Sequence, residues 1–356
     1  MIKNVTFDAV TPQDVVSLLK KSNTLVVSSI NYEQRTLKWI STLPGDSLEA
    51  KFKILVLRSM YNNIGLLEYI KNRNIEQAKK RLENLKVSYE LVRITYPAGF
   101  DRDVMKQTIR SMYQEVGGDS ELNIILEITG LPRAIIFCIL HAIYELQQQR
   151  KLPLYLYIIY TTAQEYPHIE YPHEVGTLVT YFSNKCFHDF LRNGDNLNLL
   201  VIPGIYGFET CLLIEELKKI DLPKVNFHFL VPLYQHDMLA SMKVLRMNPS
   251  VLRARAYNAK LHFSFSLQDA MKMVLDLTDW EVEEDAKCLI APFNVKPLAV
   301  SAFYAYIRLL EKGMRNVDIL RMSGLQYGSL YSLGAGEINY WKVNINESED
   351  KNLSGK

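Results

Sequence analysis

Residues 122–137 read LNIILEITGLPRAIIF, and the run from Pro132 continues without interruption to Gln149. LNIILEI, 122–128, is a short apolar run with no polar alternation. Such a run reads as a strand buried on both faces, which is the mark of a parallel sheet. Thr129 and Gly130 then supply a turn. Pro132 stands where a helix tolerates proline, at its start, and the long apolar segment behind it reads as a helix. A buried strand that turns directly into a buried helix is half of a βαβ unit, so this stretch predicts an α/β fold.

The same grammar extends in both directions. Runs at 24–30 (TLVVSSI), 52–58 (FKILVLR), 87–95 (VSYELVRIT) and 153–160 (PLYLYIIY) read as further strands. Leu66, Ile70, Ala78 and Leu82 mark one helical face between them, and Val104, Ile109 and Met112 another. After residue 198 the series starts again. Strand runs stand at 198–203, 225–231, 260–266, 287–291 and 317–323, with helix-like segments at 209–220 and 297–313. Each half therefore holds five strands in the same order.

Loop side chains repeat as well. Tyr32-Glu33 matches Phe208-Glu209 after the first strand, and Arg58 to Asn62 matches Pro232 to His236 after the second. Arg133 and Lys296 each open a long apolar helix after the fourth strand. After the fifth, YTTAQEYP (160–167) and SGLQYGSLYSLGAG (323–336) both carry Gln and then Tyr. The expectation is α/β: two tandem Rossmann-like domains with mostly parallel sheets, arising by internal duplication. The domains are placed at 1–190 and 191–343, with a polar tail at 344–356. The alternative is two unrelated α/β domains that share generic strand-end composition.

Composition narrows the function classes. The chain has 356 residues, and 41 Lys and Arg against 39 Asp and Glu leave a net charge of +2. That balance argues against a dedicated duplex-DNA surface or polybasic membrane docking. Hydrophobic residues make up 48%, enough to form cores, which excludes global disorder. No run is long and uncharged enough for a membrane helix, and the N-terminus MIKNVTFDAVTPQDVV is unlike a secretory leader. Cys138, Cys186, Cys211 and Cys288 form no CxxC pair. Cys138, Cys211 and Cys288 sit in apolar runs and read as buried, reduced thiols, which fits the cytoplasm. The GxxxxGK[ST], GxSxG, HExxH and GxGxxG signatures are all missing.

In parallel sheets, ligands gather beyond the carboxyl ends of the strands, where helix N-termini also favour anions. The candidate ligand-binding residues therefore lie in the strand-end loops. Gly130 permits close backbone approach, Thr129 offers a hydroxyl and Arg133 a planar guanidinium suited to phosphate or carboxylate. The competing reading is a tight βα turn with a solvated or salt-bridged Arg133. Asn294 and Lys296 are the matching pair. Ser29, Asn31, Tyr206 and Glu209 occupy the first-strand loops, as ligand contacts or helix caps. Tyr327 and Tyr331, in a loop (324–336) with four glycines and two serines, suit base stacking, or else belong to a surface turn.

For catalysis the candidates are Glu209, His236 and Asp237, with Glu33 as a further acid/base group. His168 and His173, in EYPHIEYPHE, stand beside prolines that disfavour a helical metal pair, so no metal site and no cofactor are expected.

The strand, Thr-Gly-x-x-Arg, helix arrangement from Ile128 to Ala134 resembles the CRISPR-associated Rossmann fold, the CARF domain. In that family the strand-four loop helps to bind the phosphates of cyclic oligonucleotides. The usual family form has more glycine and often a Lys, so Pro132 is a departure. The second half keeps the basic residue, Lys296, and lacks the Thr-Gly pair. Two such units in one chain resemble the tandem arrangement of SAVED-type sensors, without a SAVED sequence signature. The resemblance implies a sensor for a nucleotide messenger in bacterial antiviral defence. Two domains use up this length, so a sensor would act through a partner protein or a homo-oligomer. Two other readings stay open: a hydrolase or transferase acting on a nucleotide or sugar phosphate, and a structural subunit of a larger complex.

Overall fold

The computed structural model describes residues 2–45, 48–59, 65–96, 102–117, 121–149, 153–165, 176–205, 207–232, 244–246, 248, 259–281, 285–323 and 333–347. The chain forms two compact units. The first comprises Asp8–Glu170 and Gln326–Val343, and the second Met1–Phe7, Tyr171–Leu325 and Asn344–Lys356.

The elements of the first half are β1 (Ile2–Ala9), α1 (Pro12–Leu19), β2 (Thr24–Ser29), α2 (Arg35–Thr42), β3 (Lys51–Ser59), α3 (Gly65–Asn84), β4 (Tyr89–Tyr96), α4 (Arg102–Gly117), β5 (Leu122–Glu127), α5 (Arg133–Gln149) and β6 (Leu154–Thr161). Then come β7 (Thr177–Thr180), α6 (Phe187–Phe190), β8 (Asn196–Ile202), α7 (Phe208–Leu217), β9 (Lys224–Pro232), β10 (Lys260–Ser264), α8 (Leu267–Leu277), β11 (Lys287–Pro292), α9 (Lys296–Glu311), β12 (Val317–Ser323) and β13 (Ile338–Glu347).

The seven-stranded sheet has the order β1-β13-β6-β5-β2-β3-β4, and the six-stranded sheet the order β10-β9-β8-β11-β12-β7. Number the five parallel strands of each sheet along the chain, and both read 3-2-1-4-5, the Rossmann order. In each sheet the order reverses between the first and fourth strands. Those are β2 and β5, with Val26 opposite Ile125, and β8 and β11, with Leu199 opposite Leu289. Each sheet also carries an antiparallel strand beside its fifth: β13 pairs β6, Tyr340 opposite Ile159, and β7 pairs β12, Thr180 opposite Leu320. The fold is α/β with two mostly parallel sheets.

The central strands are where the apolar runs predict them. All six residues of β2 and of β5 are buried, so these strands have no solvent face on which polar residues could alternate. Trp39, Phe52, Ile54, Ile125 and Ile159 share one core with Leu82 of α3. Helix starts follow local chemistry. Thr11 and Asp14 form a capping box ahead of α1, and Ser266 caps α8 by accepting from the Asp269 N–H.

Three strands, β1, β7 and β13, are not among the sequence-predicted runs. β7 is held by a buried acid: the Asp318 carboxylate accepts from the N–H groups of Phe182 and Ser183 at 2.8 and 2.7 Å. β13 reaches Glu347, inside the stretch read as tail. Cys211 corrects another expectation. It is exposed, because Thr210, Leu213, Ile214 and Leu217 take the buried face of α7. Cys138 and Cys288 are buried. Among the described residues no helix is long and apolar enough to cross a membrane.

Candidate functional site

In the first unit, the loop after β2 and the loop after β5 meet at the point where the strand order reverses. Gly130 makes that meeting possible. A Cβ there would lie 2.5 Å from the Ser29 carbonyl oxygen and 3.1 Å from Thr36 Cγ2, so only glycine fits.

Polar groups lock the same loops. The buried Glu127 carboxylate ends β5, accepting from Ser28 Oγ at 3.0 Å and from the Thr129 N–H at 3.0 Å. Thr129 Oγ1 accepts from the Thr161 N–H at 2.9 Å, tying the strand-four loop to the end of β6. Asn31 Oδ1 accepts from the Glu33 N–H at 2.7 Å, and Asn74 Nδ2 donates to the Asn31 carbonyl at 2.8 Å. Ser29 and Thr161 are fully buried, and their hydroxyls have no hydrogen-bond partner among the described residues.

A buried ion pair flanks this frame. Arg35 Nε lies 2.8 Å from Glu33 Oε2, with both side chains largely buried. Arg35 also donates to Tyr160 OH at 3.2 Å. Glu33 is thus already paired with a guanidinium, which opposes its use as a free general base. Burial, then the neighbouring Glu33, push the Tyr32 phenol up to about 12, and Arg35 opposes them. Arg133 is the first residue of α5 and is half-buried at its mouth.

The second unit repeats the plan with the glycine on the other side. A Cβ on Gly204, in the loop after β8, would lie 2.9 Å from the Phe293 carbonyl oxygen and 3.0 Å from Glu209 Oε2. Asn294 Nδ2 donates to the Pro203 carbonyl at 2.6 Å, and Asn294 Oδ1 accepts from the Val295 N–H at 2.8 Å. Asn248 Nδ2 donates to the Gly204 carbonyl at 2.8 Å. Gly207, at φ 76°, leads into α7, and Glu209 is buried beside Gly204. Lys296 is the first residue of α9, half-buried like Arg133.

Ser29, Asn31, Thr129, Gly130 and Arg133 therefore come together in one unit, and Glu209, Asn294 and Lys296 in the other. Tyr206, His236, Asp237, Tyr327 and Tyr331 lie outside the described residues, as do His168 and His173. The glycine-rich segment is described from Leu333 onward. There it pairs with the residues that follow β6, through Leu333 N–H to the Glu165 carbonyl at 2.9 Å and Gly336 N–H to the Thr162 carbonyl at 2.9 Å. Lys38 Nζ donates to the Ala335 carbonyl at 3.2 Å.

Sequence reasoning missed Glu127, Arg35, Asn74 and Asn248. The first two had a usable signal. An acid closing an apolar strand just before a Thr-Gly turn must find donors in that turn, and Arg35 lies two residues from the acid/base candidate Glu33. Asn74 and Asn248 are remote from the loops they hold and carry no local signal.

A scan against protein-family models and a search of curated proteins gave no match to the chain.

Proposed function

We propose that the protein binds an anionic ligand of the nucleotide class beyond the carboxyl ends of its strands, as a sensor rather than as a catalyst. One observation carries this reading: in both sheets a basic residue, Arg133 or Lys296, is the first residue of the helix after strand four. A cation there is opposed by the helix dipole, by about 0.3–1 kcal/mol. An anion at the mouth reverses that sign, because it meets both the cation and the positive end of the helix dipole. The loop frames of Ser29, Asn31, Thr129, Gly130 and Asn294 set where those helices begin.

The CARF-like character of Ile128–Ala134 supports a nucleotide as the anion. By that resemblance the setting is bacterial antiviral defence in the cytoplasm, with a separate partner protein or a further copy of the chain carrying the response. Isothermal titration of the folded chain with mononucleotides, linear dinucleotides and cyclic oligonucleotides tests the proposal. Saturable binding of at least one, weakened by Arg133→Glu or Lys296→Glu, is the expected result. No binding by folded protein across the panel overturns it.

A further inference from the structure

The second unit bears an apolar surface that the ligand-binding reading does not use. β10 is the end strand of the six-stranded sheet, and among the described residues β9 is its one neighbour, Phe263 standing opposite Val231. Leu261 and Phe263 are each 39% exposed, and Phe265, just beyond the strand, is 60% exposed. Strand alternation sets Leu261 and Phe263 on one face, and Phe265 follows at the same spacing before the chain turns into α8. Among the described residues these are three of the six large apolar side chains that are exposed, so they form a patch rather than scattered surface positions.

A sheet edge is normally protected by charge, proline or shortness, because its outward N–H and C=O groups are a template for another strand. The other edge strands follow that rule. β4 carries exposed Glu90 and Arg93, β1 carries exposed Asp8 and buries Val5 and Phe7, and β7 is four residues long. Residues 261–266, LHFSFS, hold no Pro, Lys, Arg, Asp or Glu. β10 is thus the edge that combines open backbone with exposed apolar side chains.

We propose that β10 is the docking edge for a second copy of this chain, the two strands pairing antiparallel about a twofold axis at Phe263. The stretch KLHFSFS, 260–266, is its own complement in that register. Phe263 meets Phe263 of the second copy, Leu261 meets Phe265 on the same face, and His262 meets Ser264 on the other. Lys260 falls opposite Ser266, so no like charges face one another. Centring the pair on His262 instead would set Phe265 against Ala259 and leave the ring uncovered. This self-complementarity favours a second copy over an unrelated strand. Twofold pairing uses the edge of both copies at once, so it closes as a dimer and builds no filament. A stable interface takes about 20–30 residues a side, and this one centres on a single short strand, so its dissociation constant is on the order of 0.1 mM.

Sedimentation of the full chain from about 5 μM to about 500 μM, a range that brackets this constant, tests the proposal. The expected result is a monomer–dimer equilibrium. Phe263→Lys and Phe263→Glu each set like charges face to face on the axis, and each weakens the dimer by more than about tenfold. Mixed in equal amounts, the two variants set Lys against Glu and recover the dimer, as a position that opposes itself must. A second measurement fixes the register. With the exposed Cys186 and Cys211 replaced by Ser, Phe263→Cys treated with diamide gives a covalent dimer by itself, whereas Leu261→Cys and Phe265→Cys crosslink only with each other. Circular dichroism checks that each variant is folded. Folded chain that stays monomeric across the range leaves the edge to another partner and overturns the proposal. So does a dimer unchanged in both charged Phe263 variants, or a mixture of the two that associates no better than either alone.

Discussion

Gly130 rests against the Ser29 carbonyl so closely that a methyl group on it would sit 2.5 Å from that oxygen. The contact joins the loops after the first and fourth strands, and it is backbone against backbone, so no flexible side chain can move aside. Gly130→Ala should therefore destabilise the first unit by about 1–3 kcal/mol, the usual range for forced overpacking. Gly204→Ala, at 2.9 Å from the Phe293 carbonyl oxygen, should act in the same direction in the second unit. Gly45 has nothing within 4 Å of its added Cβ, so Gly45→Ala is the control. Urea midpoints measure all three, and equal midpoints for Gly130→Ala and Gly45→Ala would refute the close-approach argument.

The hydrogen bonds of the strand-four loops make a second prediction. Thr129→Val keeps the volume but removes the oxygen that accepts from the Thr161 N–H. A buried donor left unpaired costs about 1–3 kcal/mol. Asn294→Ala removes both the bond to the Pro203 carbonyl and the acceptor for Val295 N–H, with a similar expected loss. Thr129→Ser, which retains the oxygen, should recover most of the stability in thermal or denaturant unfolding.

These loops also show where a sequence can and cannot be read. LNIILE and the LLVI end of NLNLLVI are legible because a stretch covered on both faces must be mostly apolar. β1, β7 and β13 are not legible in that way. β7 lies at a sheet edge, and β13 finds β6 far back along the chain. Its INYWKVNINE pattern states only that some strand is possible. Arg133 and Lys296 are legible because a strand-to-helix boundary fixes them. Glu127 and Arg35 take partners within or beside their own loops, so a local signal exists for them, whereas Asn74 and Asn248 act on loops distant in sequence, and nothing local announces those two.

Tyr32 gives a pH prediction with a definite sign. An unfolded tyrosine ionises near 10, whereas Tyr32 in the folded chain holds its proton to about 12, chiefly through burial. Between those values the folded state binds more protons than the unfolded state, so stability falls as pH rises. The contribution is fully present below pH 10 and lost by pH 12. Two pKa units correspond to at most ~2–3 kcal/mol. Tyr32→Phe lacks the group in both states. The wild type should lose stability relative to Tyr32→Phe across that window and not below it, and parallel denaturation curves at pH 8, 10 and 11 would show whether it does.

The paired cations make the last prediction, and Arg133 and Lys296 should not respond alike. A guanidinium can bind two anion oxygens at once with a fixed fork, whereas an ammonium acts as a compact point charge. If Arg133 meets the ligand through its fork, Arg133→Lys should weaken binding even though the charge is kept. Lys296→Arg, which keeps the charge and adds donors, should bind as well as the wild type. Charge reversal at either position should weaken binding about ten- to a hundredfold, since a charge-assisted hydrogen bond contributes about 1.5–3 kcal/mol. Titration calorimetry with whichever nucleotide binds the wild type reads all four variants, and circular dichroism checks that each is folded. Reversal at both positions with affinity unchanged would place the ligand elsewhere. A loss in Arg133→Lys matched by an equal loss in Lys296→Arg would show that both positions respond to altered packing rather than to the anion.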